Sequence, residues 1–249
     1  MTAPYVTVSI ENHIGTVEFF HPSHNAMPTQ VLKDLEQAIK DVGENDEVKV
    51  VVLKSGGDRT FCAGASFEEL KAISNEAEGK AFFSGFANVI NAMRTCPKFI
   101  IGRVQGKAVG GGVGLIAATD YCLATQYAAV KLSELSIGIG PFVIAPAIER
   151  KVGVATLSEL TINCTEFYKA QWAHEKGFYA QIFDTVENLD VAVLKLATQL
   201  SGYNPEAMKA MKAALWEQSK HWGTLLSQRA ETSGKLVLSA FTKTFLKNF

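Results

Sequence analysis

The chain has 249 residues, of which 47% are hydrophobic and 20% charged, and its formal net charge at pH 7 is -1. This composition is typical of a globular protein with a large core, and it provides no basic field that would attract nucleic acid. No segment has the roughly 18 consecutive apolar residues of a membrane span, and the N-terminus does not resemble a signal sequence. We therefore predict a cytoplasmic protein that binds neither nucleic acid nor membranes.

The first part of the chain alternates predicted strands and helices, which favours a mostly parallel, layered α/β core up to about residue 150. Its predicted elements are a hairpin with strands at 6–10 and 14–20, a helix from Pro28 to Gly43, a strand at 48–53, a helix at 82–93, and strands at 99–104 and 121–124. These patterns predict that the buried strands form one sheet and that the helices cover it.

After Val152 the composition favours helices. Asn204 and Pro205 form a typical helix start, because the first can cap the helix and the second fits its first turn. A continuous helical run is predicted over 225–246. Its three phenylalanines are expected to cap the core or to meet a partner subunit: Phe241, Phe245 and Phe249.

The cysteines are widely spaced and contain no Cys-x-x-Cys pair, so we expect neither a metal site nor a disulfide framework. Buried free thiols are the ordinary alternative for such residues, which are Cys62, Cys96, Cys122 and Cys164.

Glycine occupies five of the nine positions from Gly106 to Gly114, between a predicted strand and a predicted buried helix. No Lys-Ser/Thr pair closes this loop as in a P-loop, and the spacing of a dinucleotide fingerprint is absent. Such a turn can present bare backbone N–H groups to an anion or a developing oxyanion. It can equally serve only to pack a helix tightly on a strand.

A second turn of small residues follows the strand at 48–53. In the segment 61–70, Ala63, Gly64 and Ala65 precede Ser66, which can cap a helix whose first turn carries two glutamates. Two such turns can each supply one N–H to a single oxygen, the minimum for an oxyanion hole. Two unrelated tight turns are the alternative.

Glu134 lies among apolar residues and glycines after the strand at 121–124. A carboxyl group in these surroundings is expected to have a raised pKa, which suits a general acid or base near neutral pH. Capping a helix or forming a salt bridge is the more common role of a glutamate.

Together these segments resemble the crotonase (enoyl-CoA hydratase/isomerase) superfamily from about Val6 to about Lys212. The resemblance is carried by Asn25-Ala26, Phe61-Cys62-Ala63-Gly64-Ala65, Val104-x-Gly106-x-Ala108-x-Gly110-Gly111-Gly112, Asp120, Glu134 with Gly138 and Pro141, and Asn204-Pro205-x-Ala207. It implies an α/β spiral of ββα units over residues 1–195. It also implies a helical C-terminal region over 196–249 that forms a homotrimer or a dimer of trimers.

The resemblance further implies an acyl-CoA thioester substrate, so that coenzyme A arrives with the substrate and no separate cofactor is needed. The thioester oxygen would accept hydrogen bonds from the N–H groups of Ala65 and Gly111, with Gly112 as the substitute for the second. The residues expected to bind the substrate are Ala63, Ala65, Ser66, Gly111 and Gly112. The acyl chain length cannot be predicted from the sequence. The walls of the acyl pocket are expected to come from the segments 82–93 and 141–148, which vary among members of the superfamily.

Gly114 departs from the hydratases of this superfamily, which carry a first glutamate at that position and a second at the position of Glu134. Moving a double bond from the 3,4 to the 2,3 position needs only one base, so the sequence favours 3-enoyl-CoA isomerisation with Glu134. Hydration, thioester hydrolysis, decarboxylation and acyl-CoA binding without turnover are the alternatives.

Overall fold

The structure is a computed structural model that describes residues 2–248. The strands in this range are β1 (Tyr5–Glu11), β2 (Ile14–Phe20), β3 (Val50–Ser55), β4 (Thr60–Cys62), β5 (Ile100–Val104), β6 (Lys107–Val109), β7 (Tyr121–Thr125), β8 (Val130–Lys131) and β9 (Gln181–Phe183). One sheet has the order β1-β2-β3-β5-β7-β9 and the other the order β4-β6-β8. All the pairings are parallel except that of β1 with β2.

The helices are α1 (Thr29–Glu44), α2 (Phe67–Ala72), α3 (Glu76–Thr95), α4 (Gly111–Ala118), α5 (Ala145–Ile162), α6 (Ala170–Glu175), α7 (Val186–Ser201), α8 (Pro205–Leu215), α9 (Trp222–Leu236) and α10 (Ala240–Lys247). Short 3₁₀ turns occur at Leu135–Ile137 and Glu217–Ser219. Pairs of strands followed by helices therefore repeat along the chain, as in β3-β4-α2 and β5-β6-α4. Both of these repeats add one strand to the large sheet and the next to the small sheet, whereas β1 and β2 before α1 both join the large sheet. The predicted spiral of ββα units is confirmed.

The opening hairpin turns through Asn12 and His13, whose φ angles are +51° and +66°. Two central residues with positive φ are the condition for a tight turn that matches the twist of the strands. The predicted hairpin is therefore confirmed.

The large sheet is covered on both faces. Helices α1 and α3 pack in the main core, and α7 covers the other face with Leu189, Val193 and Ala197. Helix α7 also runs across residue 195, where we predicted the boundary between the two regions. The four cysteines are unpaired, and Cys164 is the one that is not fully buried.

The C-terminal helices pack on the same chain. Helix α9 lies along α3, and a Cβ added at Gly79 would be 2.7 Å from the Cα atom of Gly234, so the two backbones are in direct contact. None of the helices between residues 2 and 248 combines the length and apolar character that crossing a bilayer requires.

The prediction of one continuous helix over 225–246 is wrong. The chain breaks between α9 and α10, where the Ser239 side chain caps α10 by accepting from the N–H of Thr242 at 3.3 Å. Of the phenylalanines in this segment, Phe245 packs against the core and Phe241 is 64% exposed. Phe249 lies outside the described residues.

Candidate active site

A pocket opens where the loops after β4 and β6 meet the 3₁₀ turn Leu135–Ile137 and helix α9. About 680 Å³ of space not filled by atoms lies in and in front of this pocket, open solvent included. Ala63, Ala65, Gly111 and Glu134 all line it. Four of the residues that were selected from the sequence, separated by up to about 70 positions, therefore come together in one place.

The loop after β4 lies directly beside the loop after β6. Gly64 has a φ of +89°, and a Cβ added to it would be 3.1 Å from the carbonyl oxygen of Val109 and 3.8 Å from the nitrogen of Gly111. Glycine is therefore required at Gly64 both by its backbone conformation and by the close approach of the second loop. This contact brings the segment containing Ala65 next to the start of α4.

The loop after β6 enters α4 through Gly110, whose φ of +52° and ψ of -119° are accessible to glycine. Gly111 is the first residue of α4, so its N–H has no partner within the helix. A Cβ added at Gly111 would be 2.2 Å from Cζ of Phe86, so a side chain at this position is excluded by the α3 helix. The N–H of Gly111 is thus kept next to the pocket without a covering side chain.

Two N–H groups are available at this place. The loop hydrogen bonds between described residues 2–248 do not use the N–H of Ala65 or that of Gly111 as a donor to a carbonyl oxygen. Both residues line the pocket, and the helix dipole of α4 adds partial positive charge at Gly111. The pair can therefore donate to one oxygen atom of a bound molecule, although which atom they bind stays a prediction.

Ser66 and Gly112 lie behind the pocket rather than in its wall. Ser66 is buried and caps α2, accepting from the N–H of Glu69 at 3.3 Å. A Cβ added at Gly112 would be 2.7 Å from Cβ of Cys62, so this glycine packs against β4. Their predicted part in substrate binding has no support in the lining of the pocket.

Glu134 follows β8 and begins the 3₁₀ turn. Its Oε1 would be 2.7 Å from a Cβ added at Gly110, so the glycine leaves room for the carboxyl group. Part of the residue is exposed to the pocket, but its Oε2 is buried and has no hydrogen-bond partner among residues 2–248. Burial raises the pKa of Glu134 to about 7, because the charged form loses its hydration.

Gly114 has no room for the second carboxylate of a hydratase. A Cβ added there would be 2.4 Å from Cγ2 and 2.7 Å from Cβ of Ile144, a residue of the pocket wall. Within the described part of the chain, Glu134 is the single titratable side chain among the residues that line the pocket. The site therefore offers one acid-base group and an apolar wall near it.

Three contacts of this site were not predicted from the sequence. Phe86 covers Gly111, Ile144 fills the space beside Gly114, and Ser233 closes the pocket from α9. The segments 82–93 and 141–148 were expected to supply walls, and Phe86 and Ile144 lie in them. No local signal distinguishes Ser233, because it reaches the pocket only through the packing of α9 on α3.

His24, which precedes Asn25, is an exposed residue with a φ of +55°. It lines a separate shallow hollow with Arg59 and does not belong to the pocket of Glu134.

The amino-acid sequence of this chain is similar to those of known proteins. Residues 9–244 match the family described as enoyl-CoA hydratase/isomerase. The chain is 28% identical over 232 residues to the peroxisomal Delta(3,5)-Delta(2,4)-dienoyl-CoA isomerase of Arabidopsis thaliana, covering 85% of this chain and 82% of that protein. It is 27% identical over 212 residues to the short-chain-enoyl-CoA hydratase of Clostridium acetobutylicum, covering 84% and 80%.

The fold agrees with solved structures. The crystal structure of enoyl-CoA hydratase from Bacillus halodurans superposes with a TM-score of 0.91 at 19% sequence identity, covering 98% of this chain and all of that chain. The chain therefore belongs to the enoyl-CoA hydratase/isomerase family and has the crotonase fold that its motifs resemble. It is an enzyme of the isomerase or hydratase type.

Proposed function

We propose that the protein converts a 3-enoyl-CoA to the 2-enoyl-CoA with Glu134 as the single acid-base group. One observation carries this proposal: among the described residues 2–248, the buried Oε2 of Glu134 has no hydrogen-bond partner, and the N–H groups of Ala65 and Gly111 in the same pocket donate to no carbonyl oxygen. A base and two donors around an apolar cavity are the groups that formation of a thioester enolate requires.

The reaction follows from these groups. Glu134 removes a proton from the α-carbon, and the electron pair moves into the thioester, so that negative charge develops on its oxygen. The N–H groups of Ala65 and Gly111 stabilise this charge more than they stabilise the neutral substrate. The same carboxylic acid then returns the proton to the γ-carbon as the double bond shifts. No water, electron or second substrate is consumed.

The pKa of Glu134 suits both halves of the reaction. A value of about 7 means that roughly half of the carboxyl groups are ionised at neutral pH, ready to accept a proton. The protonated form is also stable in the pocket, because burial disfavours the charge. The group can therefore hold the proton while the enolate exists.

Substitution Glu134→Gln tests the assignment, because glutamine keeps the size of the side chain and cannot accept the proton. We expect kcat/KM for isomerisation, followed optically, to fall by roughly 10²- to 10⁴-fold. Glu217→Gln, on the surface next to Lys220, is the matched control and is expected to leave the rate unchanged. Equal activity of Glu134→Gln and the wild type would disprove the role of this residue.

Turnover must also be separated from binding alone. Calorimetry with a saturated acyl-CoA, run beside the isomerisation assay, distinguishes an enzyme from a protein of this fold that only binds acyl-CoA. Binding without conversion of any 3-enoyl-CoA or 2-enoyl-CoA would favour the non-catalytic alternative.

Hydration of 2-enoyl-CoA is the second candidate, favoured by the likeness to a named hydratase. It can be tested by restoring the missing acid, but Gly114→Glu alone would collide with Ile144. The informative variant is Gly114→Glu with Ile144→Gly, because even an alanine at 144 would keep the Cβ that is 2.7 Å from the added one. Ile144→Gly alone is the matched control.

If the chain is an isomerase that lacks only the second acid, the double variant gains hydratase activity of at least tenfold over its control. Strong hydration by the wild type, with no gain in the double variant, would instead show that one carboxylate suffices here.

The homotrimer or dimer of trimers and the cytoplasmic location stay predictions from the sequence. Light scattering of the purified protein measures the first, and microscopy of the tagged protein in its own cells measures the second.

A further inference from the structure

We propose that the acyl group which this pocket accepts is an uncharged hydrocarbon chain, and that acyl groups with a second carboxylate are excluded. This proposal rests on the proposed function, because it assigns the pocket beside Glu134 to the acyl part of the substrate. It concerns the chemical class of that part and not the reaction.

The walls of the pocket are apolar. Five phenylalanines contribute to them, together with aliphatic side chains from the loop after β4, from helix α2 and from the segment that follows Glu134. The five rings are Phe67, Phe82, Phe83, Phe86 and Phe142. A surface of this kind binds hydrocarbon by removing apolar area from water.

Polar side chains in the wall are few and carry no positive charge. Within residues 2–248 they are the hydroxyl groups of Ser133 and Ser233 and the carboxyl group of Glu134. Hydroxyl groups can donate a hydrogen bond to a carboxylate, but they do not neutralise it. Glu134 itself repels a second negative charge whenever it is ionised.

Within residues 2–248, no lysine or arginine of the neighbouring helices lines the pocket. Lys235 pairs with Glu231 at 2.9 Å, and Lys243 donates to the carbonyl oxygen of Ile73. Arg229 is exposed, and its guanidinium carbon is 6.0 Å from the centre of the Phe142 ring. Arg229 does not line the pocket.

A terminal carboxylate would thus lose its hydration in the pocket without gaining a counter-charge. Burying an unpaired charge is costly enough that such a ligand should bind at least roughly 100-fold more weakly than the hydrocarbon of the same length. A neutral group of similar size should bind much more tightly than the carboxylate, since only the size of the pocket limits its binding.

The test is a binding series with saturated acyl-CoAs, which cannot be isomerised. Calorimetry on the full-length protein compares hexanoyl-CoA with adipoyl-CoA, which has the same six carbons and a terminal carboxylate. The monomethyl ester of adipoyl-CoA serves as the neutral size control. The coenzyme A part is the same in all three, so its contacts cancel in the comparison.

We expect adipoyl-CoA to bind at least roughly 100-fold more weakly than hexanoyl-CoA, and the methyl ester to stay within about tenfold of hexanoyl-CoA. In Arg229→Met the same discrimination should persist, because this guanidinium is outside the pocket. Equal affinity for adipoyl-CoA and hexanoyl-CoA would overturn the proposal. Tight adipoyl-CoA binding that is lost in Arg229→Met would overturn it too, by showing that the site includes a cation.

These results are independent of the reaction. If hexanoyl-CoA binds and adipoyl-CoA does not, while no 3-enoyl-CoA is isomerised, the proposed function fails and the inference about the acyl group stands. If 3-enoyl-CoA is isomerised and adipoyl-CoA binds as well as hexanoyl-CoA, the inference fails and the function stands.

Discussion

Two acidic residues of this protein have buried carboxyl groups with opposite surroundings. Asp120, beside the large sheet, accepts from the N–H of Ile100 at 2.7 Å, from Nζ of Lys212 at 2.9 Å and from Nε1 of Trp216 at 2.7 Å. Glu134, in the pocket, has an Oε2 without any partner among residues 2–248. The first carboxylate is fully satisfied and ties α8 to the sheet, whereas the second is left able to take up a proton. Among buried acids, hydrogen bonding therefore separates the structural group from the chemical one.

The largest effect is expected from breaking the satisfied site. Asp120→Asn leaves the ammonium group of Lys212, whose side chain is 3% exposed, buried without its counter-charge. Loss of one partner of a buried pair typically costs about 3–5 kcal/mol of unfolding free energy. Urea unfolding measures this loss as a lower midpoint.

The matched variants sharpen this result. Asp120→Asn combined with Lys212→Met removes both charges and should recover much of the lost stability. Glu217→Gln, in an exposed pair with Lys220, should unfold at the wild-type midpoint. If Asp120→Asn also unfolds at that midpoint, the cluster does not stabilise the fold as described.

A smaller effect of the opposite sign is expected at Glu134. Its pKa is about 7 in the folded protein and near the ordinary value of 4.5 when unfolded, so ionisation disfavours folding as the pH rises between these values. Glu134→Gln should therefore be more stable than the wild type by about 1–3 kcal/mol at pH 8, with little difference near pH 4.5. Denaturant unfolding at both pH values measures this, and a difference that does not depend on pH would contradict it.

The smallest effect is on the rate of the wild type. If the ionised Glu134 removes the α-proton, kcat/KM should rise with pH, and the midpoint of this limb of the pH–rate profile should lie at about pH 7. Below the midpoint, kcat/KM should change by up to about tenfold per pH unit. The limb of Asp120→Asn should have the same midpoint, since that carboxylate is not in the pocket. A limb below pH 5 would show that burial does not raise the pKa of Glu134 in solution.

The sequence predicted the elements with strong local signals. The hairpin, the helix that begins after Pro28 and the cap at Asn204 are confirmed, the last by hydrogen bonds from Glu206 and Ala207 to the Asn204 side chain. The run at 225–246 was misread because its apolar periodicity continues across the break, and Ser239 gives only a weak stop signal. Strand β9 and the small sheet were missed, because strands of two or three residues are too short to show a period.

Like the fold, the site has parts that could be predicted from the sequence and parts that could not. The glycines and small residues of both loops, and a lone acid among apolar residues, are visible in the sequence because unusual backbone and electrostatic demands restrict the residue type. Phe86 and Ile144 are ordinary core residues by their local pattern. Their contacts with Gly111 and Gly114 exist only after α3 and α5 have packed against α4.

By itself the sequence determined the family, the two loops, Glu134 and the absence of a second acid at Gly114, since each of these is a choice of residue type. Only the tertiary structure decided that both loops and Glu134 meet in one pocket, that Ile144 occupies the space beside Gly114, and that α9 closes the pocket through Ser233. The reason is physical: residue types set local conformation and charge, whereas burial, free donors and wall shape depend on contacts between segments distant along the chain.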